Sequence, residues 1–189
     1  MPTEPASATT EHSPSDGPPR AVLIAAVVLA VVVAVGVVLG IAATRRTPAQ
    51  PVAIASVPAP QADSPECRRL LDGLPAALGD FQRATALDPV PAGTAAYRAG
   101  TEGDAVILRC GLDRPADFVV GRPIQMVNQV QWFRVDDPDT DRSTWVSVDR
   151  PVYVALTLPT GSGPTPIQTM SDLIAQTMPA VPVKPGPAR

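Results

Sequence analysis

Val152-Tyr153-Val154-Ala155-Leu156-Thr157-Leu158 is the stretch on which the reading of this chain turns. Val152, Val154, Leu156 and Leu158 alternate with Tyr153, Ala155 and Thr157. A period of two residues is that of an antiparallel strand with one face on a core and one toward water. Working back along the chain, Ala105 to Cys110 repeats the pattern, with Val106, Leu108 and Cys110 on one face and Ile107 and Arg109 on the other. Thr144 to Val148, Gln129 to Val135 and Asp117 to Gly121 read as further strands. Ala84 to Asp104, rich in Gly, Pro and Thr, reads as a loop.

A helix is expected on each side of these strands. Ser64 has the chemistry of an N-cap and Pro65 suits the first helical position, where a missing N–H costs nothing. Cys67, Leu70, Leu71 and Leu74 then follow at the spacing of one buried stripe, and Pro75 ends or kinks the helix. Thr165-Pro166-Ile167-Gln168 reads as a capping box opening a last helix, with Ile167, Met170, Leu173, Ile174 and Met178 on its apolar side. Helix, strands, helix, without βαβ alternation or an internal repeat, predicts an α+β domain: a small antiparallel sheet packed by two helices.

Ahead of this domain, Ala21 to Ala43 is an uninterrupted apolar run with no charge or hydroxyl. As a helix it is about 34 Å long, enough to cross a hydrocarbon core of about 30 Å once. It is too long for the apolar part of a cleaved signal peptide, and Ala53-Ile54-Ala55, which fits a cleavage pattern, lies well beyond it. An uncleaved signal anchor is the expectation. Arg20 on one side and Arg45 and Arg46 on the other leave the positive-inside rule near a tie. The two cysteines break it. Cys67 and Cys110 both follow the span, and an even pair in a small exported domain fits one disulfide in an oxidising compartment. Both sulfurs point inward on the predicted helix and strand, and closing a loop of about 43 residues would stabilise the fold by roughly 4 kcal/mol. The N-terminus is therefore expected in the cytoplasm and the domain outside.

The prolines divide the rest. Of 24 in the chain, those in residues 1–20, 44–62 and 179–189 sit in segments without apolar periodicity, which predicts a disordered cytoplasmic tail, a Pro/Ala-rich linker and a disordered C-terminal tail around a folded 63–178. Extended as polyproline, that linker would reach up to roughly 59 Å.

Little in the composition points to catalysis. The only histidine, His12, is expected across the membrane from the domain, and the only lysine, Lys184, lies in the tail. That leaves no base for an activated Ser or Cys and no His/Cys zinc set. No catalytic residue, metal or cofactor is expected, and the domain is read as not an enzyme. A net charge of −3 gives no basic footprint for nucleic acid. Asp137, Asp139 and Asp141 alternate as in a calcium loop, but Arg142 stands where the turn wants Gly and no Glu closes the loop, so a solvated hairpin loop is expected. Arg109 beside Cys110 could bind an anion, but alternation turns it outward, where a surface ion pair is the expectation. Trp132, Phe133, Trp145 and Tyr153 could form a ligand platform, though core and cross-strand packing is the commoner use of such residues. Gly36-x-x-x-Gly40 would allow close approach of a second span and a weak homodimer.

Cys67-x-x-Leu70-Leu71 with Leu74-Pro75, Leu108-Arg109-Cys110-Gly111, Val130-Gln131-Trp132, the strand Val152 to Pro159 and the closing helix, in that order, resemble the actinobacterial family known as domain of unknown function 3515. Its members pair an N-terminal membrane helix with a small exported domain. The family usually carries Trp-Gly-x-Pro shortly before its Arg-Cys-Gly strand; here Tyr97 stands near that place. The resemblance implies a place in the cell envelope and no reaction. The expected role is a membrane-anchored envelope protein whose domain is a protein-interaction or support module. The alternative is a domain binding a small ligand, such as a wall fragment or lipid head group.

Overall fold

The computed structural model describes residues 20–44, 50–137 and 139–188, which fall into two units, an N-terminal helix and a domain that is described from Gln50 onward. The tail 1–19, with His12, lies outside the described residues, as do Arg45 and Arg46. Helix α1 spans Arg20–Thr44, and within it Arg20–Ile41 is long and apolar enough to cross a membrane.

In the domain, α2 (Pro65–Asp72) is followed by β1 (Ala77–Leu78), β2 (Phe81–Ala84), β3 (Thr94–Arg98), β4 (Ala105–Leu112), β5 (Gln125–Val127), β6 (Val130–Asp137), β7 (Arg142–Ser147), β8 (Tyr153–Pro159) and α3 (Thr165–Thr177). The strands form one antiparallel sheet in the order β1-β2-β3-β4-β8-β7-β6-β5. The α+β architecture is the expected one.

One face of the sheet, here the inner face, carries both helices. Leu108 pairs with Leu156 and Cys110 with Val154 across β4 and β8, so the alternating apolar sets of the two strands meet on one side. They pack with Leu70 of α2 and with Met170 and Ile174 of α3 in a single core. Ser64 caps α2 as expected, accepting the Cys67 N–H at 3.2 Å. Cys67 and Cys110 are joined, with Cα atoms 5.6 Å apart, tying α2 to the central strand. Tyr97 fills the same core from β3. Its hydroxyl donates to Pro75 O at 2.9 Å and accepts from Arg83 at 3.3 Å, and burial holds the phenol above its ordinary pKa against the smaller opposing pull of Arg83.

Several expectations need correcting. Asp117 to Gly121 is not a strand; Val119 makes one isolated parallel bridge, to Gly186. The expected loop from Ala84 to Asp104 contains β3, and β1, β2 and β5 add short strands that no alternation announces. The capping box at Thr165 does not form. Pro164 is the N-cap, no side chain caps the helix, and Thr165 instead lies over Gly79, where a φ of +62° and a Thr165 Cβ only 3.2 Å from where a Cβ would stand both favour glycine.

Segments expected as a linker and a disordered tail instead cover the outer face of the sheet. Val52 and Ile54, from the expected linker, are buried with Ala96, Ala105 and Ile107. The Val52 N–H donates to Thr85 O at 2.8 Å and Leu87 N–H to Val52 O at 2.8 Å. At the other end Phe118, Phe133 and Val148 form a cluster that Val183 of the expected tail packs against. That tail is tied down by Val181 N–H to Asp149 O (2.9 Å) and Gly186 N–H to Phe118 O (2.8 Å). Pro-rich chain cannot make a helix or an inner strand, but it can lie extended across a sheet face and pair the few N–H groups it keeps.

The folded unit therefore outgrows 63–178 at both ends. A fragment spanning Asp63 to Met178 should unfold at lower urea than one spanning Gln50 to Ala188, by about 2–4 kcal/mol, because Ile107 and Phe133 lose their apolar cover. Equal midpoints would show that the two straps add nothing.

Candidate functional site

The helices do not cover the whole inner face. Where β5, β6, β7 and β8 run on past the start of α3, a groove of about 760 Å³ opens. Its floor is Trp145 and Leu158, its sides the end of β5 and the start of α3, and its far rim the loop from Thr160 to Pro164. That loop is held back by Thr160, whose N–H and hydroxyl both donate to Asp141 O, at 2.9 and 2.8 Å. Asn128, in the turn after β5 with φ +51°, donates to Asp172 Oδ1 at 2.6 Å and Gln168 O at 3.3 Å. This bridge fixes the width of the groove between β5 and α3.

Register places the polar groups. Arg134 pairs with Trp145, and Asp136 with Ser143, so all four side chains share the inner face at successive rungs. The Arg134 guanidinium sits 5.3 Å from the indole centroid and 2.6 Å from Asp136. The indole N–H donates to Ser143 Oγ at 3.1 Å. On the neighbouring rung Arg142 pairs with Asp104 at 2.8 Å and donates to Ala105 O at 3.1 Å. Asp136, Asp137 and Asp141 line the same opening as Arg134 and Arg142, so both signs of charge meet there with one more carboxylate than guanidinium.

The four aromatics weighed as a platform are divided by the fold. Trp132 is fully buried, its indole N–H donating to Ser171 Oγ at 3.0 Å. Phe133 turns to the outer face against Phe118, ring centroids 5.4 Å apart. Tyr153 also lies on that side, beside Val183, and burial raises its pKa while Arg114 opposes the shift. Only Trp145 of the four lines the groove. Asp137 to Arg142 is a hairpin connection between β6 and β7, in which Asp137 Oδ1 accepts the Asp139 N–H at 3.1 Å. Arg109, expected in an outward surface ion pair, does turn to the outer face but is half-buried against the 50–62 strap and points toward Ala55 O (3.4 Å); burial lowers its pKa.

One feature went unsuspected in the sequence. Asp149 and Arg150 form a buried ion pair at 2.9 Å between β7 and β8, and Arg150 also donates to Gln129 O at 2.7 Å. It joins the β5–β6 turn to the β7–β8 turn, and adjacent residues of opposite charge in a loop carry no sign of burial.

The family described as Protein of unknown function (DUF3515) matches residues 27–183. The chain belongs to that family. No curated protein and no solved structure matches it. The match takes in most of α1, the sheet, both later helices and the C-terminal strap as far as Val183. Within it, Leu108-Arg109-Cys110-Gly111 acquires a physical reading: Leu108 is core, Arg109 meets the N-terminal strap and Cys110 holds α2. At Gly111 the β4–β8 register shifts. The strap crosses so close there that a Cβ would stand 2.3 Å from the backbone of Gln61 and Ala62. Tyr97, near the place of the family's usual Trp, is a core residue here.

Proposed function

We propose that this DUF3515 protein is a single-pass protein of the cell envelope, anchored uncleaved by α1 with its N-terminus in the cytoplasm. Its disulfide-bonded domain lies outside, does no chemistry of its own and serves as an interaction module for another envelope protein. The disulfide supports the outside placement, since such bonds persist in oxidising compartments. Gly36 and Gly40 fit a weak pairing of spans in the same reading.

The observation that carries the interaction role is the edge of the sheet at β5. Met126 is 70% exposed, and Val120 and Ile124 just before it are 60% and 38% exposed. Large apolar side chains leading into an edge strand are what a partner chain covers when it extends a sheet. With both native cysteines in the disulfide, Met126→Cys supplies a lone thiol for a membrane-impermeant maleimide photocrosslinker applied to intact cells. Labelling from outside, followed by capture of one defined protein, is the expected result. No labelling until the cells are broken would overturn the orientation, and labelling without a captured protein would overturn the interaction role.

The alternative, a small-ligand domain for a wall fragment, is favoured by the groove itself, which has the volume of a binding site, an aromatic floor and polar groups converging on it.

A further inference from the structure

We propose that the groove beside α3 binds a neutral polyhydroxylated chain, a glycan of the envelope, laid against Trp145. This rests on the small-ligand reading above, and Met126 of β5 borders this groove as well as the strand edge.

Trp145 has its indole N–H satisfied by Ser143, so what it offers a ligand is ring surface, once the Arg134 guanidinium that lies over it at 5.3 Å turns aside. The axial C–H face of a pyranose is weakly apolar and positively polarised, and it matches the negative face of an aromatic ring. Lining the groove with the ring are Arg134, Asp136 and Gln168, planar groups with paired donors or acceptors, suited to adjacent hydroxyls. A hydroxyl donates to a carboxylate and accepts from a guanidinium, so it suits a rim where three Asp and two Arg alternate. A phosphate or polyanion would meet the three Asp, and a polycation the two Arg. The Arg134–Asp136 pair is exposed on both sides, at 43% and 62%, and such pairs hold little energy, so turning these groups toward a ligand costs little.

A peptide fits the floor less well. Trp145 lies on β7, which is paired on both sides by β6 and β8, so its backbone groups belong to the ladder and only side chains face the groove. An extended peptide needs a free edge, which this floor does not provide.

The test is calorimetric titration of the full chain in lipid nanodiscs with the β-1,4-linked tetramers of glucose and of N-acetylglucosamine, and with inorganic phosphate. At least one tetramer should bind with a Kd on the order of 0.1 mM, changing less than about twofold in 0.5 M salt because no net charge is neutralised. Trp145→Ala should weaken binding at least about tenfold, and Trp145→Phe by only about threefold, since a smaller ring still stacks. Asp136→Ala, at an exposed position, keeps the test sound if the Trp145 variants fail to fold, and should weaken binding several-fold. Binding of neither tetramer, binding of phosphate in their place, or full affinity in the Asp136 variant overturns the proposal. Position 126 borders the groove, but titration with a pure glycan and capture of a protein are separate readouts, so either idea can fail alone.

Discussion

Cys67→Ser is expected to lower the stability of the domain by about 2–5 kcal/mol and its melting temperature by on the order of 10 °C. Helix α2 has only eight residues, too few to persist in water unaided. It is held by Leu70, by the Ser64 cap and by the bond from Cys67 to Cys110, residues 43 apart in sequence. Breaking that bond frees the loop in the unfolded chain and leaves a Ser hydroxyl at a position with no exposure, where an unpaired polar group adds its own cost. Cys110 should become alkylatable once the variant is unfolded. Reductant should bring the wild-type urea midpoint close to that of Cys67→Ala/Cys110→Ala. If the wild-type midpoint does not move on reduction, the bond contributes nothing to stability.

The inner half of the fold could be read because its signals are local. The alternation in β8 and β4, the Ser64 cap and the stripe of α3 each show within one turn or one strand. The outer half was hidden by composition. Val52, Ile54 and Val183 stand among prolines, and the rule that Pro-rich chain stays unfolded ignores chain that needs no ladder of its own because it lies on an existing sheet. The same cover explains why β3 escaped notice. Ala95, Ala96 and Tyr97 are consecutive and all buried, since the strand has core on one face and the strap on the other, and alternation vanishes when both faces are covered.

The groove was only half legible. Trp145 could be singled out as an aromatic, but Trp132 looks the same in sequence and shares its sheet face. What separates them is that Ser171 of α3 reaches Trp132 while α3 begins too late to cover Trp145. That depends on where a helix docks after the chain has turned, which no spacing within β6 or β7 records. Arg134 and Asp136 likewise gain meaning only through the β6–β7 register.

Gly111→Ala should destabilise the domain by about 3 kcal/mol or more, while Gly121→Ala should cost only about 1–2 kcal/mol, and the comparison isolates the cause. The two glycines have nearly the same backbone, φ +88° and +86°, in a region L-residues rarely adopt. They differ in what a Cβ would meet. At Gly121 nothing lies within 4 Å, whereas at Gly111 the Cβ would come within 2.3 Å of Gln61 C and Ala62 N. Backbone cannot swing aside as a long side chain can, so the strap must lift. Its bond from Gln61 N–H to Gly111 O, 3.0 Å in the native structure, should go with it. Hydrogen exchange at Gln61 should then accelerate strongly in Gly111→Ala and stay native in Gly121→Ala, while amides in β8 keep their protection relative to each variant's global stability. Equal losses in the two variants would mean that only the backbone angle matters at Gly111, and that the strap does not bear on the sheet where the Arg109-Cys110-Gly111 element places it.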